Sequence, residues 1–392
     1  MRFPEFTEEW KAEQLDNIAT LSKGIGISKE QLSEDGEPCI LYGELYTKYK
    51  SEIIKQVESK TDINGSKLKR SKANDVIIPC SGETAVDIAT ARCVPFDNIL
   101  FGGDLNVISL HQYDGAFMSY QLNGKRKYDI ARVAQGVSIV HLYGEHLKAI
   151  KTYNPTLPEQ QKIAKLLSLL DDRIDTQNKI IEKLQSLIKG LNDNIHKGIK
   201  GETVCFSDLG EAYSGLSGKG GDDFGYGEPF ITYMNVYQNT YISEKDYELV
   251  QIAPNEKQNS VQYGDALFTL SSETPEEVGI GAVYLGNTQK LYLNSFCFGI
   301  HFYDERVLPQ YLAHFISSSS FRRAIYPLAQ GSTRFNLQKN DFMKMKFLLP
   351  SLEKQGHIAN TLDALHCRLA NEKSLTEQYI LLKKYLLSLM FI

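Results

Sequence analysis

The 392-residue sequence has no apolar run of about 18 residues, so no transmembrane helix is expected. Its start, MRFPEFTEEW, lacks the apolar core of a signal peptide. Its six cysteines (Cys39, Cys80, Cys93, Cys205, Cys297 and Cys367) are scattered, with no Cys-x-x-Cys pair. That argues against a zinc site or a disulfide framework and for a reduced, cytoplasmic protein. Positive charge is not in excess: 43 Lys and Arg against 48 Asp and Glu give a formal net charge of −5. A chain that held nucleic acid alone through phosphate contacts would be basic, so if this one binds DNA another subunit supplies much of the positive charge. Catalytic motifs are missing too. There is no Gly-x-x-x-x-Gly-Lys-Ser/Thr phosphate loop and no Asn/Asp-Pro-Pro-Tyr/Phe methyl-transfer motif; Asn154-Pro155-Thr156-Leu157 is not one. The eight histidines show no metal-ligand spacing. Ser81-Gly82-Glu83-Thr84 offers a hydroxyl and an acid, but no general base at a recognisable offset.

What is present is a long heptad seam. From Leu157 to about Lys197 the apolar positions step by four and three: Ile163, Leu167, Leu170, Ile174, then Gln177, then Ile181, Leu184, Ile188, Leu191 and Ile195. Pro158 suits a first helical turn, and Gly198 and Gly201 lie just past the end. A helix of about 40 residues spans roughly 60 Å and cannot bury its seam against itself, so it needs a partner.

The partner is a second copy of the same pattern. Pro155, Leu157, Gln160, Ile163, Ala164, Leu167, Leu170 and Arg173 recur 195 residues later as Pro350, Leu352, Gln355, Ile358, Ala359, Leu362, Leu365 and Arg368. The segments before the helices also repeat. Pro38, Ile40, Tyr42 and Tyr46 recur as Pro229, Ile231, Tyr233 and Tyr237, and Asp75, Ser81, Glu83 and Thr84 as Asp265, Ser271, Glu273 and Thr274. His111, Tyr113 and Asp114 recur as His301, Tyr303 and Asp304, and Ala134-Gln135-Gly136 as Ala329-Gln330-Gly331. A repeat decides the fold. The 42% hydrophobic content of so long a chain can fill more than one core, and two to three domains are expected. The reading is α+β, with two similar mixed α/β domains over 1–154 and 201–349 and two long helices over 155–200 and 350–392. Short strands are expected at Asp75 to Pro79, Asn98 to Phe101 and Asn106 to Leu110, with a helix near Phe117 to Asn123. Strand-end hydrogen bonding is the ordinary role for His111 and His301. The tyrosines at 42, 46, 233 and 237 alternate like a half-buried strand and read as core more readily than as contacts.

Between the anchors the halves diverge, as one scaffold with two surfaces would. Polar loops in both halves are rich in groups that read base edges or hold phosphates. In the first half the candidates are Lys23, Ser28, Tyr42, Glu44, Ser81, Glu83, Thr84, Lys125, Lys127, Gln135 and Ser138. In the second half they are Ser217, Lys219, Tyr233, Asn235, Ser271, Ser272, Glu273, Thr274, Gln330, Ser332, Thr333 and Arg334. The glycine-rich run Ser214 to Gly221 reads as a flexible loop in which Lys219 could meet a phosphate. Gln330-Gly331-Ser332-Thr333-Arg334 is the best single candidate, because its glycine permits close approach beside a guanidinium, two hydroxyls and an amide.

Phe3-Pro4-Glu5-Phe6…Glu9-Trp10, Ala329-Gln330-Gly331-Ser332-Thr333 and Leu157-Pro158-Glu159-Gln160-Gln161-Lys162-Ile163-Ala164, in this order over the whole chain, resemble the specificity subunit of a type I restriction–modification system. Ser351-Leu352-Glu353-Lys354-Gln355-Gly356 departs from the fuller pattern at the second helix. The resemblance implies no catalysis by this chain and no metal or cofactor bound by it. Each recognition domain would read one half of a bipartite double-stranded DNA target. The helices would set the spacing and dock two modification subunits, which methylate adenine with S-adenosylmethionine. Restriction subunits using ATP and Mg would join for cleavage. A coiled-coil adaptor without DNA readout and a stand-alone DNA-modifying enzyme are the competing classes.

The seams predict how the helices pair. An antiparallel register sets Ile163 on Leu386, Leu167 on Leu382, Leu170 on Tyr379 and Ile174 on Leu375, and separately Ile181 on Leu365, Leu184 on Leu362 and Ile188 on Ile358. The two registers differ by three residues, which implies a slip in the second seam between Leu365 and Leu375. A parallel pairing would put Ile181 on Thr376 and Ile188 on Lys383. The expectation is an antiparallel, pseudo-two-fold coiled coil with its dyad near Gln177, and half-sites read on opposite strands about one helical turn apart (~34–36 Å).

Overall fold

The computed structural model describes residues 2–391. It divides into two units, one of Met1–Lys179 with Lys373–Ile392 and one of Ile180–Glu372. Each unit therefore contains one repeat of the mixed segment and a portion of both long helices.

In the first unit the strand Asp75–Pro79 explains the packing. DVIIP is apolar on both faces, as a strand covered on both sides must be. Val76 and Ile78 enter a core with Ile108, Met118 and Leu122. Ile77 points the other way, into a core with Ile40, Phe101 and Val107. The sheet is antiparallel and four-stranded, ordered Ala19–Lys23, Leu105–Leu110, Asp75–Pro79, Arg92–Val94. Beside it lies a smaller sheet in which Glu37–Ile40 runs parallel to Leu100–Phe101. The helix Gly115–Asn123 starts at Asp114, whose carboxylate accepts the Phe117 N–H at 2.7 Å. Strands Lys11–Gln14 and Lys151–Asn154 pair antiparallel and bring the segment's ends together.

The second unit repeats this. Its four-stranded sheet is ordered Gly210–Ser214, Cys297–Phe302, Ala266–Thr269, Gly281–Val283. Ala266 and Phe268 face one core and Leu267 the other. Glu202–Cys205 and Lys346–Leu349 close the ends. The turn before the central strand needs positive φ in both units, met by Asn74 (φ 81) in one and Gly264 (φ 88) in the other. Asp75 and Asp265 then accept the backbone N–H three residues back, of Lys72 and Gln262. His111 and His301 do bond at a strand end, to Thr20 at 3.0 Å and Asp265 at 2.8 Å.

The long helices are Leu157–Lys197 and Leu352–Met390. The repeated glutamine anchors each of them. Gln160 donates to the Pro155 carbonyl at 2.8 Å and accepts the Asp114 N–H at 2.9 Å. Gln355 donates to the Pro350 and Arg306 carbonyls, both at 2.9 Å, and accepts the Leu308 N–H at 2.7 Å. The second anchor thus survives the weaker match around it.

Within each unit the helix segments are antiparallel. In the first, Ile163, Ala164 and Leu167 share a core with Leu386, Met390 and Phe391, and Arg173 Nε reaches the Tyr379 hydroxyl at 3.2 Å. In the second, Leu191 and Ile195 pack in one core with Ile358, Ala359 and Leu362. The predicted slip is absent. The second helix runs unbroken, and its buried positions continue through Leu369, Glu372, Thr376, Leu386 and Met390 at heptad steps, with Tyr379 and Lys383 mostly covered between them. Leu382, expected opposite Leu167, is exposed. The reason is electrostatic. Lys383 Nζ lies 2.6 Å from Asp171 and also pairs with Glu52, while Tyr120 and Ser51 donate to Asp171 at 2.6 and 3.0 Å. Two buried carboxylates hold the lysine inward, so the leucine beside it turns out.

Two further expectations change. The tyrosines at 42, 46, 233 and 237 lie at short helices, Glu44–Thr47 and Tyr233–Gln238, where a spacing of four is one turn rather than strand alternation. The expected strand from Asn98 shrinks to Leu100–Phe101, because Asn98 takes a positive φ of 64 in the turn.

A candidate nucleic-acid interface in each unit

In the first unit, a short two-stranded ladder, continued by the hairpin that Gln135 and His141 close, forms one wall of a cleft. Ser81–Gly82 pairs antiparallel with Val140–His141. The opposite wall is the helix at Glu44–Thr47 with its tyrosines. The cleft encloses about 1070 Å³ and is lined by Tyr42, Tyr46, Ser81, Glu83, Asp87, Arg92, Ser138 and Ile139 among others. Tyr46 donates to the Ser81 carbonyl at 3.1 Å and ties the walls together. Of the residues singled out from sequence, Tyr42, Ser81, Glu83 and Ser138 therefore converge. Ser28 and Tyr42 line an adjoining cavity of about 830 Å³.

The second unit builds the same cleft. Ser271–Ser272 pairs with Phe335–Leu337, which in turn pairs with Ala329–Gln330. A cavity of about 290 Å³ is lined by Tyr233, Met234, Tyr237, Ser271, Ser272, Glu273, Glu277, Phe296 and Arg334. Tyr233 donates to the Ser271 carbonyl at 2.9 Å, and the two tyrosine rings stack at 6.0 Å. The Tyr237 and Ser272 hydroxyls both donate to the Glu277 carboxylate, at 2.7 and 3.1 Å. These hydrogen bonds hold the Glu277 carboxyl below its ordinary range, so it stays an acceptor at neutral pH. The Arg334 guanidinium stands 5.8 Å from the Phe296 ring, a cation–π shelf at an exposed position.

Several residues expected to be free are committed elsewhere. Glu44 is buried, accepts the Leu41 N–H at 2.9 Å and the Ser59 hydroxyl, and pairs with Lys48 at 2.7 Å. Thr84 caps the helix Ala85–Ile88. Asn235 is 2% exposed and locks the Ser243 backbone with donor and acceptor alike. Lys219 is almost covered and pairs with Glu256 at 2.5 Å, which holds that carboxyl at about 2; its charge is taken, and the glycine-rich loop is pinned there. Gln258 pins the Ser217 backbone from both sides. Ser271 and Ser272 are mostly buried and contribute chiefly the hairpin edge. Thr274 precedes the turn Pro275–Glu277 without a side-chain capping bond, its side chain hydrogen-bonding Glu277 instead.

Others lie apart from the clefts. Lys23 stands 5.8 Å over the Tyr143 ring. Lys125 and Lys127 sit in the turn into the helix Lys127–Val133 and line neither first-unit cavity described above. Gln135 and Gln330, with Ser332 and Thr333, sit on the exposed hairpin tips. Sequence reasoning passed over Ile139, Val137 and Phe296, because an apolar residue in a loop gives no polar signal. Their exposures of 60%, 98% and 55% mark them only once the fold is known. Among the described residues no cluster could hold a metal ion, and no helix is long and apolar enough to cross a membrane.

A family model for the type I restriction modification DNA specificity domain matches residues 7–186 and again 201–378. The type I restriction enzyme MjaVIII specificity subunit of Methanocaldococcus jannaschii is 22% identical, over 98% of this chain and 92% of that protein. Among solved structures, the type I restriction-modification S subunit from M. genitalium aligns over all of this chain and 97% of its own, with 14% identity and a TM-score of 0.59. A chain from a structural study of complex assembly and conformational transition of the type I system aligns over 98% and 97%, with 15% identity and a TM-score of 0.61.

Proposed function

Since the chain belongs to the type I restriction modification DNA specificity family, we propose that it is the sequence-reading subunit of such a complex, and that its two clefts each read one half of a bipartite DNA target. One observation carries this reading: the same cleft is built twice, with the same tyrosine wall and hairpin, but with different side chains at the hairpin tips, Val137-Ser138-Ile139 against Ser332-Thr333-Arg334. A shared scaffold with unlike tips is what two unlike half-sites require. The rims offer what base edges and phosphates need, including Ser138, Glu83, Glu273 and Arg334.

Catalysis belongs to the partners. The modification subunits bring S-adenosylmethionine, and the restriction subunits bring ATP and Mg. The complex works in the cytoplasm, where its DNA is. With a net charge of −5, the chain relies on those partners for phosphate neutralisation. The modification subunits dock on the long helices. The second helix carries Ile380, Leu381, Leu382, Tyr385 and Leu389 at exposed positions, and apolar surface of this kind marks a protein contact. The test is to co-express the chain with its modification subunits and map methylated adenines across a genome. The reading requires one bipartite motif. Methylation without a fixed motif would leave a helical adaptor in its place.

A further inference from the structure

The two hairpin tips are built alike, and the difference between them is chemical. Gln135-Gly136-Val137-Ser138-Ile139 and Gln330-Gly331-Ser332-Thr333-Arg334 each turn on a glycine of positive φ, 122 at Gly136 and 145 at Gly331. A Cβ on Gly136 would fall 2.1 Å from the Ile139 carbonyl oxygen, and one on Gly331 2.0 Å from that of Arg334. In both, the glutamine pairs with the strand that returns along the cleft, at His141 in one and Asn336 in the other. Ile139 thus occupies in the first cleft the place of Arg334 in the second, and both line their clefts.

Ile139 is 60% exposed and Val137 98% exposed, on a loop that no core requires to be apolar. Leaving two branched side chains in water gains nothing for folding. In the major groove only one base edge presents an apolar group, the C5-methyl of thymine. An arginine at the same place suits the O6 and N7 acceptors of guanine.

We infer that the first cleft recognises a thymine methyl through Ile139, supported by Val137, where the second cleft uses Arg334 for guanine. This inference rests on the DNA-reading function proposed above and specifies its chemistry. An apolar tip could also wedge between base steps from the minor groove, but a wedge is indifferent to the thymine methyl.

Replacing thymine by deoxyuridine removes that methyl and nothing else. The experiment uses the complex of this chain with its modification subunits, and duplexes carrying the methylated motif. Each thymine of the half-target assigned to residues 1–154 is replaced singly by deoxyuridine. At one position the affinity should fall about fourfold, the worth of one buried methyl-sized group. With Ile139→Ala that position should no longer distinguish thymine from uracil, while responses in the other half-target stay as they were. A wild-type complex indifferent to every substitution would overturn the inference while leaving the DNA-reading function standing, as would an Ile139→Ala complex that keeps the full fourfold ratio. A first half-target without any fixed thymine would overturn it too. A complex with no sequence preference at all would overturn both.

Discussion

At the scale of single residues, charge and burial decide which polar groups can meet a ligand. Arg334 keeps an exposed guanidinium propped on Phe296. If it reads the second half-site, Arg334→Ala costs about 1–3 kcal/mol of DNA affinity and leaves assembly with partners intact, which binding titrations at several salt concentrations would measure. Lys383 is the opposite case. Its ammonium is the shared partner of Asp171 and Glu52, both nearly buried. Lys383→Met would strand two buried carboxylates, so we expect a loss of about 3–5 kcal/mol in the first unit by urea unfolding. Reading these roles from sequence fails for a physical reason. Asn235, Glu44 and Lys219 have the same loop composition whether solvated or locked, and only their partners tell them apart.

At the scale of elements, both long helices and the central strands were legible. A heptad seam and a doubly apolar pentapeptide such as DVIIP are periodic signals that burial enforces. The seam of the second helix was misread after Leu369, because a lysine and a threonine at core positions look like surface, and the leucines beside them look like core. Those displaced leucines lead to a prediction. Leu381→Asp with Tyr385→Asp should weaken co-purification of the modification subunits while the circular dichroism and melting of the chain alone stay unchanged; full retention would move the docking surface elsewhere. The end of the first helix carries a pH dependence. His196 and His314 are buried, and burial holds both below the ordinary histidine value of 6.5, against the opposing pull of Asp363 on His314. The folded second unit therefore binds fewer protons than the unfolded chain. Its stability is fully present above about 6.5 and declines as pH falls below that value. Melting between pH 7.5 and 5.5 should show the decline, and a variant with both histidines changed to Gln should show less of it.

At the scale of the whole molecule, the repeat was the most legible feature and the clefts the least. Asp75 with Asp265 and Gln160 with Gln355 recur because each satisfies backbone groups that the fold would otherwise bury unpaired. The rims keep Ser81 with Ser271 and Glu83 with Glu273, but the hairpin tips carry no such obligation, and Val137-Ser138-Ile139 in one does not predict Ser332-Thr333-Arg334 in the other. That independence is the central claim. It is tested most directly by exchanging residues 1–150 for those of a relative, co-expressing the chimera with the modification subunits, and sequencing methylated adenines. One half of the motif should change to that of the donor, and the other should remain. A chimera that folds and assembles yet alters both halves together would contradict the account.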